Sequence, residues 1–300
     1  MGAAPSVFFH PAGGGRAGQR LYLYHPPAAG APSRGTVLYI HAFAEEMNKA
    51  RRMAALQSRA LAAKGYAVLQ PDLLGCGDSS GDFGDATWED WIADVTEAAR
   101  WLHQRHAGAL WLWGLRAGAL LACAAAPRLP VRSHFLFWQP AVSGRQLLQQ
   151  FLRVKAAGEM LEGGSMGIVE ALRRQLVAGQ EVQVAGYRLH PALAAGLDTA
   201  SLALAPAAAH GARVEWFELQ PKAGGTLSPA AASMAETWRK AGAVLRAHVI
   251  AGPAFWQTTE IEEAPALLHA TPVALDDPGP AAGVLAQPRD GLASSQPIAQ

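Results

Sequence analysis

The sequence predicts an α/β protein, a mostly parallel, doubly wound sheet of about eight strands with a helical cap inserted late in the chain. Two observations carry that prediction. Short apolar runs of strand length alternate with segments of helical periodicity about 10–15 residues long. One glycine-framed segment, Gly114-Leu115-Arg116-Ala117-Gly118, joins an apolar strand to a helix of small residues.

RLYLYH (20–25) alternates polar, aromatic and aliphatic residues and reads as an early antiparallel strand. TVLYIH (36–41) is apolar throughout, as a strand covered on both faces should be. Over 49–64, Met53, Leu56, Ala60 and Leu61 recur at helical spacing, and Gly65 ends the run. YAVLQ (66–70) is the next strand, followed by the glycine-rich loop PDLLGCGDSSGDFGD. Thr87 caps a helix whose stripe is Trp88, Trp91, Val95, Ala98 and Leu102. ALWLW is a strand, 117–126 a tightly packed helix, and SHFLFW (133–138) a strand. The stretch 143–205 breaks this rhythm with irregular, largely helical sequence, placed where a cap over the C-terminal edge of the sheet belongs. RVEWFEL (213–219), a helix over 228–241 and AVLRAHVI (243–250) complete the alternation. The domain is expected to span 1–270, with 271–300, rich in Pro, Gly, Ala and Gln, as a disordered tail.

The 300 residues are 50% apolar, and 25 basic against 24 acidic side chains leave no nucleic-acid footprint. Cys76 and Cys123 are the only cysteines, which excludes a disulfide framework and a thiolate metal site. The N-terminus has no basic segment ahead of a long apolar core, and its loose Gly2/Ser6 acylation pattern is set aside for want of a second membrane signal. No apolar run reaches the roughly 18 residues of a membrane span. The expectation is a soluble cytoplasmic protein with no cofactor and no metal. The acids of HAFAEEMNKARR and GCGDSSGDFGD lack ligand spacing and read as solvated loop carboxylates.

The segment around Arg116 has the outline of a nucleophile elbow, G-x-S-x-G, with arginine in place of serine. A guanidinium stays protonated, has no lone pair for attack and cannot act as a base. It grips anions bidentately, and a helix N-terminus reinforces that preference. Its alternative role is an internal pair with an acid such as Glu45 or Asp78.

LYIHAF, LQPDLLGCGDSSG and WGLRAG stand in the order of the oxyanion motif, the D-x-x-G-x-G-x-S loop and the elbow, so the chain resembles the α/β-hydrolase superfamily. The resemblance implies an α/β-hydrolase fold and an oxyanion hole from the backbone N–H groups of Phe43 and Ala117. It also locates two further catalytic places. The acid's place, near Gly224 or Gly225, has no carboxylate between Glu218 and Glu236, and the alternative place in WQPAVSG is also empty of acids. The histidine's place, AGPAFWQTTEIEEA, lies between His248 and His269 and holds no histidine. The Ser-His-Asp machinery is therefore absent. More narrowly, FAEEMNKARRM, DLLGCGDSSGDFGD, LWGLRAGALLA and GPAFWQTTEIE together resemble the exosortase A system-associated hydrolase 2 family over about residues 5–270. That resemblance implies a setting in the exosortase/PEP-CTERM sorting and exopolysaccharide export systems of Gram-negative bacteria.

Three functions follow as expectations. The first is a pseudoenzyme that binds an anionic small molecule, a carboxylated or phosphorylated polysaccharide precursor, through Arg116. The second is a hydrolase or acyltransferase that works without the triad, with Cys76, His41 and Asp78 as candidates and Arg116 as an electrophilic clamp. Nearby Asp72, Asp78 and Asp82 work against a reactive Cys76 thiolate. The third is a scaffold for a protein partner of the export system, with TWEDWIADVTEAARWL and the cap as its surface.

Overall fold

The computed structural model describes residues 4–161, 167–222 and 224–277. In chain order the elements are β1 (Ser6–Pro11), β2 (Gln19–His25), β3 (Gly35–Ile40), α1 (Glu45–Ala63), β4 (Tyr66–Pro71), α2 (Trp88–Arg105), β5 (Leu110–Leu115), α3 (Ala117–Ala125) and β6 (Ser133–Trp138). They continue with α4 (Gly144–Leu161), α5 (Ile168–Val177), β7 (Val182–Val184), β8 (Tyr187–Leu189), α6 (Pro191–Thr199), α7 (Pro206–Ala209), β9 (Arg213–Gln220), α8 (Pro229–Lys240), β10 (Val244–Ala251) and α9 (Pro265–Asp276).

Eight strands form one sheet in the order β1-β2-β4-β3-β5-β6-β9-β10. β1, β2 and β4 pair antiparallel, and every pair from β4 to β10 is parallel. This is the α/β-hydrolase fold. Its centre follows from composition: every residue of β3 and β5 is buried, because helices cover both faces of a parallel sheet. Phe255 and Leu267 pack on one face with Tyr39, Trp113 and Trp138. Trp91, Leu120, Phe137 and Trp238 belong to the core of the other.

The start of α2 is set locally. Thr87 Oγ1 accepts the Asp90 N–H at 3.1 Å, and Asp90 Oδ2 accepts the Thr87 N–H at 3.1 Å, a reciprocal box worth about 1 kcal/mol. Trp88, Trp91 and Trp101 of this helix are buried. They fill the core, so the partner surface expected of that segment is not presented by its tryptophans.

Between β6 and β9 the chain leaves the sheet. Helix α4 packs on α5 and α6, and α6 packs back on α2. The β7–β8 hairpin within this stretch escapes sequence analysis because three-residue strands are too short to show a period. Strand β1 also lacks an expectation; Phe8 anchors it on Trp101, 5.4 Å between ring centroids.

The C-terminal boundary moves. Helix α9 runs through Thr271, where a tail was expected, and Thr271 is fully buried. Its hydroxyl accepts from Trp138 Nε1 at 3.0 Å and donates to the Leu267 carbonyl at 2.9 Å. Pro272 inside the helix disguises the pattern. Residues 278–300 of the expected tail lie outside the described residues. Among the described residues no helix is long and apolar enough to cross a membrane.

Candidate functional site

The site begins with a backbone constraint. β5 must turn directly into α3, and Arg116 takes φ 53°, ψ −114° to do so, a conformation costly for any residue with a Cβ. The turn closes only because its neighbours are small. A Cβ on Gly114 would meet the Ala119 Cα at 2.5 Å, and one on Gly118 would overlap the Ile40 carbonyl oxygen. Ala44 mirrors Arg116 across the edge, with φ 51° and ψ −128° at the start of α1. The two strained residues head the two helices that flank the site.

Arg116 Nε donates to Glu46 Oε1 at 3.3 Å, and the guanidinium lies over the Trp256 ring, 5.7 Å from its centroid. The acid is therefore Glu46, not Glu45 or Asp78 as expected. Glu45 lies one position earlier on α1, about 100° around the helix, and accepts from Tyr187 Oη at 3.1 Å and Asn48 Nδ2 at 3.0 Å. Asp78 is exposed in the loop after β4. Burial raises the Glu46 carboxyl, and Arg116 only partly opposes that. Gln257 Nε2 donates to the same Glu46 oxygen at 3.4 Å. Arg116 makes no hydrogen bond through Nη1 or Nη2 among the described residues.

Two cavities lie side by side here. One, of about 170 Å³, is lined by Arg116, Gln139, Ser143, Gln146, Glu218 and Ser228. The other, of about 350 Å³, is mainly apolar and lies between Phe43, Phe151, Val154, Tyr187 and Trp256, with Glu46 on its wall. Leu147 and Gln150 of α4 border both.

The remaining catalytic places are filled by other chemistry. After β10, where a histidine would stand, Trp256 and Gln257 pack against the Arg116–Glu46 pair. After β9, Gln220 occupies the space beside Gly225. Sequence analysis missed Glu218, because it lies inside a strand rather than after one. The structure brings it to the cavity wall, but its oxygens accept from Ser228 N at 2.9 Å, Ser228 Oγ at 3.1 Å and Gln220 Nε2 at 3.2 Å. Both oxygens of that carboxylate are bonded, and no hydrogen bond joins it to a histidine among the described residues.

Cys76 is buried with Leu73 and Phe83. Burial pushes its thiol far up, and Asp72 and Asp94 add to this, so the thiolate a nucleophile needs is suppressed. His41 is buried, its Nδ1–H donates to the Ala42 carbonyl at 2.8 Å, and burial lowers its basicity. No hydrogen bond joins Cys76, His41 and Asp78 to one another among the described residues. Phe43 and Ala117 both line a small cavity of about 10 Å³; both are buried, and neither N–H has a partner among the described residues. Among those residues no group of three or more His, Cys, Asp or Glu is placed to hold a metal ion.

The sheet order and the strand-elbow-helix turn define a member of the α/β-hydrolase superfamily. Within it the chain belongs to the family described as serine aminopeptidase, S33, whose model matches residues 31–191. The match includes the elbow and ends before the loops after β9 and β10. No curated protein matches the chain. Among solved structures it is similar to Est1E from Butyrivibrio proteoclasticus, bound to ferulic acid, at 16% identity and TM-score 0.60, covering 89% of this chain and 96% of that one. It is also similar to proline iminopeptidase from Mycobacterium smegmatis, at 15% identity and TM-score 0.53 over 90% and 97% of the two chains. XC6422 from Xanthomonas campestris, described as an a/b serine hydrolase without lid, matches at 14% identity and TM-score 0.52 over 92% and 93%. At these identities the likeness concerns the fold.

Proposed function

We propose that this chain is a non-hydrolytic member of its family that binds a ligand carrying an anionic group at Arg116. The observation that carries the reading is the incomplete use of the guanidinium: Nε holds Glu46, while both Nη groups lack a protein partner on the wall of a 170 Å³ cavity. A planar fork left open in this way suits a carboxylate or phosphate. The residues at the nucleophile and histidine places, Arg116 and Trp256, cannot deliver a nucleophile or move a proton. The N–H groups of Phe43 and Ala117 supply further donors at the same edge. The resemblance to the exosortase-associated family makes a cytoplasmic, acidic precursor of an exported polysaccharide the ligand to try, and a protein of that export system the partner to seek.

The test combines turnover and binding. A panel of p-nitrophenyl esters and thioesters should show no hydrolysis above the buffer rate. Small carboxylates and sugar phosphates, with ferulate as the aromatic member, should include a binder measurable by calorimetry. Arg116→Ala should weaken it at least tenfold, since a charge-assisted hydrogen bond is worth about 1.5–3 kcal/mol. Turnover abolished by Cys76→Ser or His41→Gln would replace this reading with triad-independent hydrolysis.

A further inference from the structure

The two cavities differ in chemistry and share a wall, and that juxtaposition names a ligand. Around the smaller one, Ser143, Gln146 and Gln150 come from α4 and the turn before it, Gln139 from the end of β6, and Ser228 from the turn before α8. Gln139 is held rigidly. Its backbone is strained at φ 42°, its N–H donates to the Phe217 carbonyl at 2.7 Å, and its Oε1 accepts the Leu219 N–H at 2.7 Å. The amide orientation is thereby settled, and Nε2 is left without a partner among the described residues. The side-chain amides of Gln146 and Gln150 likewise have no partner there, while Ser228 Oγ donates to Glu218 and keeps its lone pairs for acceptance. Amides and hydroxyls both donate and accept, which suits a ligand with several hydroxyl groups rather than a bare anion. A cavity of about 170 Å³ holds several waters and admits one sugar ring. The adjoining 350 Å³ cavity presents aromatic and aliphatic side chains: Phe43, Phe151, Val154, Tyr187 and Trp256.

We infer that the ligand is an amphiphile: one acidic, hydroxyl-bearing sugar ring in the smaller cavity, with its carboxylate on Arg116, joined to an apolar group in the larger one. This rests on the anion-binding reading above and narrows it. Gln150 and Leu147 border both cavities, and the bond between head and apolar group is placed beside them.

Calorimetry on the full chain with four probes separates the two statements. 4-Nitrophenyl β-D-glucuronide carries both parts, glucuronate lacks the apolar group, 4-nitrophenyl β-D-glucoside lacks the charge, and 4-nitrobenzoate lacks the sugar. The glucuronide should bind at least tenfold more tightly than any of the others. Gln146→Ala, at an exposed helical position, should weaken the glucuronide about fivefold, the worth of one neutral hydrogen bond, and leave 4-nitrobenzoate unchanged. Phe151→Ala should weaken the glucuronide and leave glucuronate unchanged. Equal binding of 4-nitrobenzoate and the glucuronide would overturn the sugar head while the anion site stands. Binding of none of the acidic probes, or binding indifferent to Arg116→Ala, would overturn both.

Discussion

The ion cluster at the β9–β10 edge and the ion pair at the elbow use the same side-chain chemistry to different degrees of completion. Glu215, buried in β9, accepts from Arg246 Nε at 2.9 Å and His248 Nε2 at 2.9 Å, and Arg213 Nη2 lies 3.4 Å away. The same guanidiniums reach the end of α9: Arg213 Nη2 donates to the Ala274 carbonyl at 3.4 Å and to the Asp277 carbonyl at 2.6 Å. Both oxygens of Glu215 and all three nitrogens of the Arg246 guanidinium are bonded, and the cluster clamps a helix to a sheet edge. At the elbow a single 3.3 Å bond joins Arg116 to Glu46, with Oε2 of Glu46 and both Nη groups of Arg116 left over. A buried carboxylate with both oxygens bonded to cations serves the fold; an ion pair with an oxygen and a guanidinium fork left open beside a cavity is suited to a ligand.

The largest test of this contrast is Glu215→Ala. It leaves two arginines facing each other at a buried position, and loss of one partner from such a cluster costs about 3–5 kcal/mol. Urea unfolding should show that loss, and a change below about 1 kcal/mol would erase the distinction between the two regions.

A smaller effect is expected at the elbow. Arg116→Gly relieves the cost of φ 53° but strips Glu46 of its ion-pair partner, so the two effects oppose one another and stability should change by less than about 1 kcal/mol while the ligand is lost. A stability loss comparable to that of Glu215→Ala would mean that the elbow pair is also structural.

The smallest effect concerns pH. The native Glu46 carboxyl titrates above its ordinary value of 4.5 because it is buried, so the native state holds its proton longer than the unfolded chain does. Its contribution to stability is then greatest at acid pH and declines as pH rises through that window. Glu46→Gln abolishes the titration. Thermal unfolding from pH 4.5 to 8 should show the variant gaining on the parent as pH rises; a constant difference would refute the raised carboxyl.

Much of this was legible in the chain itself, for a local reason. β3 and β5 are buried on both faces and are apolar throughout, and the Thr87–Asp90 box is written in neighbouring residues. Gly114, Ala117 and Gly118 are required by a turn that spans five residues, and the arginine at its centre is visible as a residue type. The short elements β1, β7 and β8 were not legible, because three to six residues without strict alternation carry little periodic signal.

The partners of Arg116 depended on contacts between segments far apart in sequence. One step along α1 separates Glu46, which reaches the elbow, from Glu45, which turns to Tyr187. Trp256 comes to the guanidinium from the loop after β10, and Glu218 reaches the cavity from within β9. The sequence by itself determined the scaffold and the arginine at its elbow, since backbone sterics and functional-group identity reside in single residues and their neighbours. Which acid pairs with Arg116, and which of its N–H groups stay open, was decided by the tertiary structure, since helix rotation and loop packing set those distances.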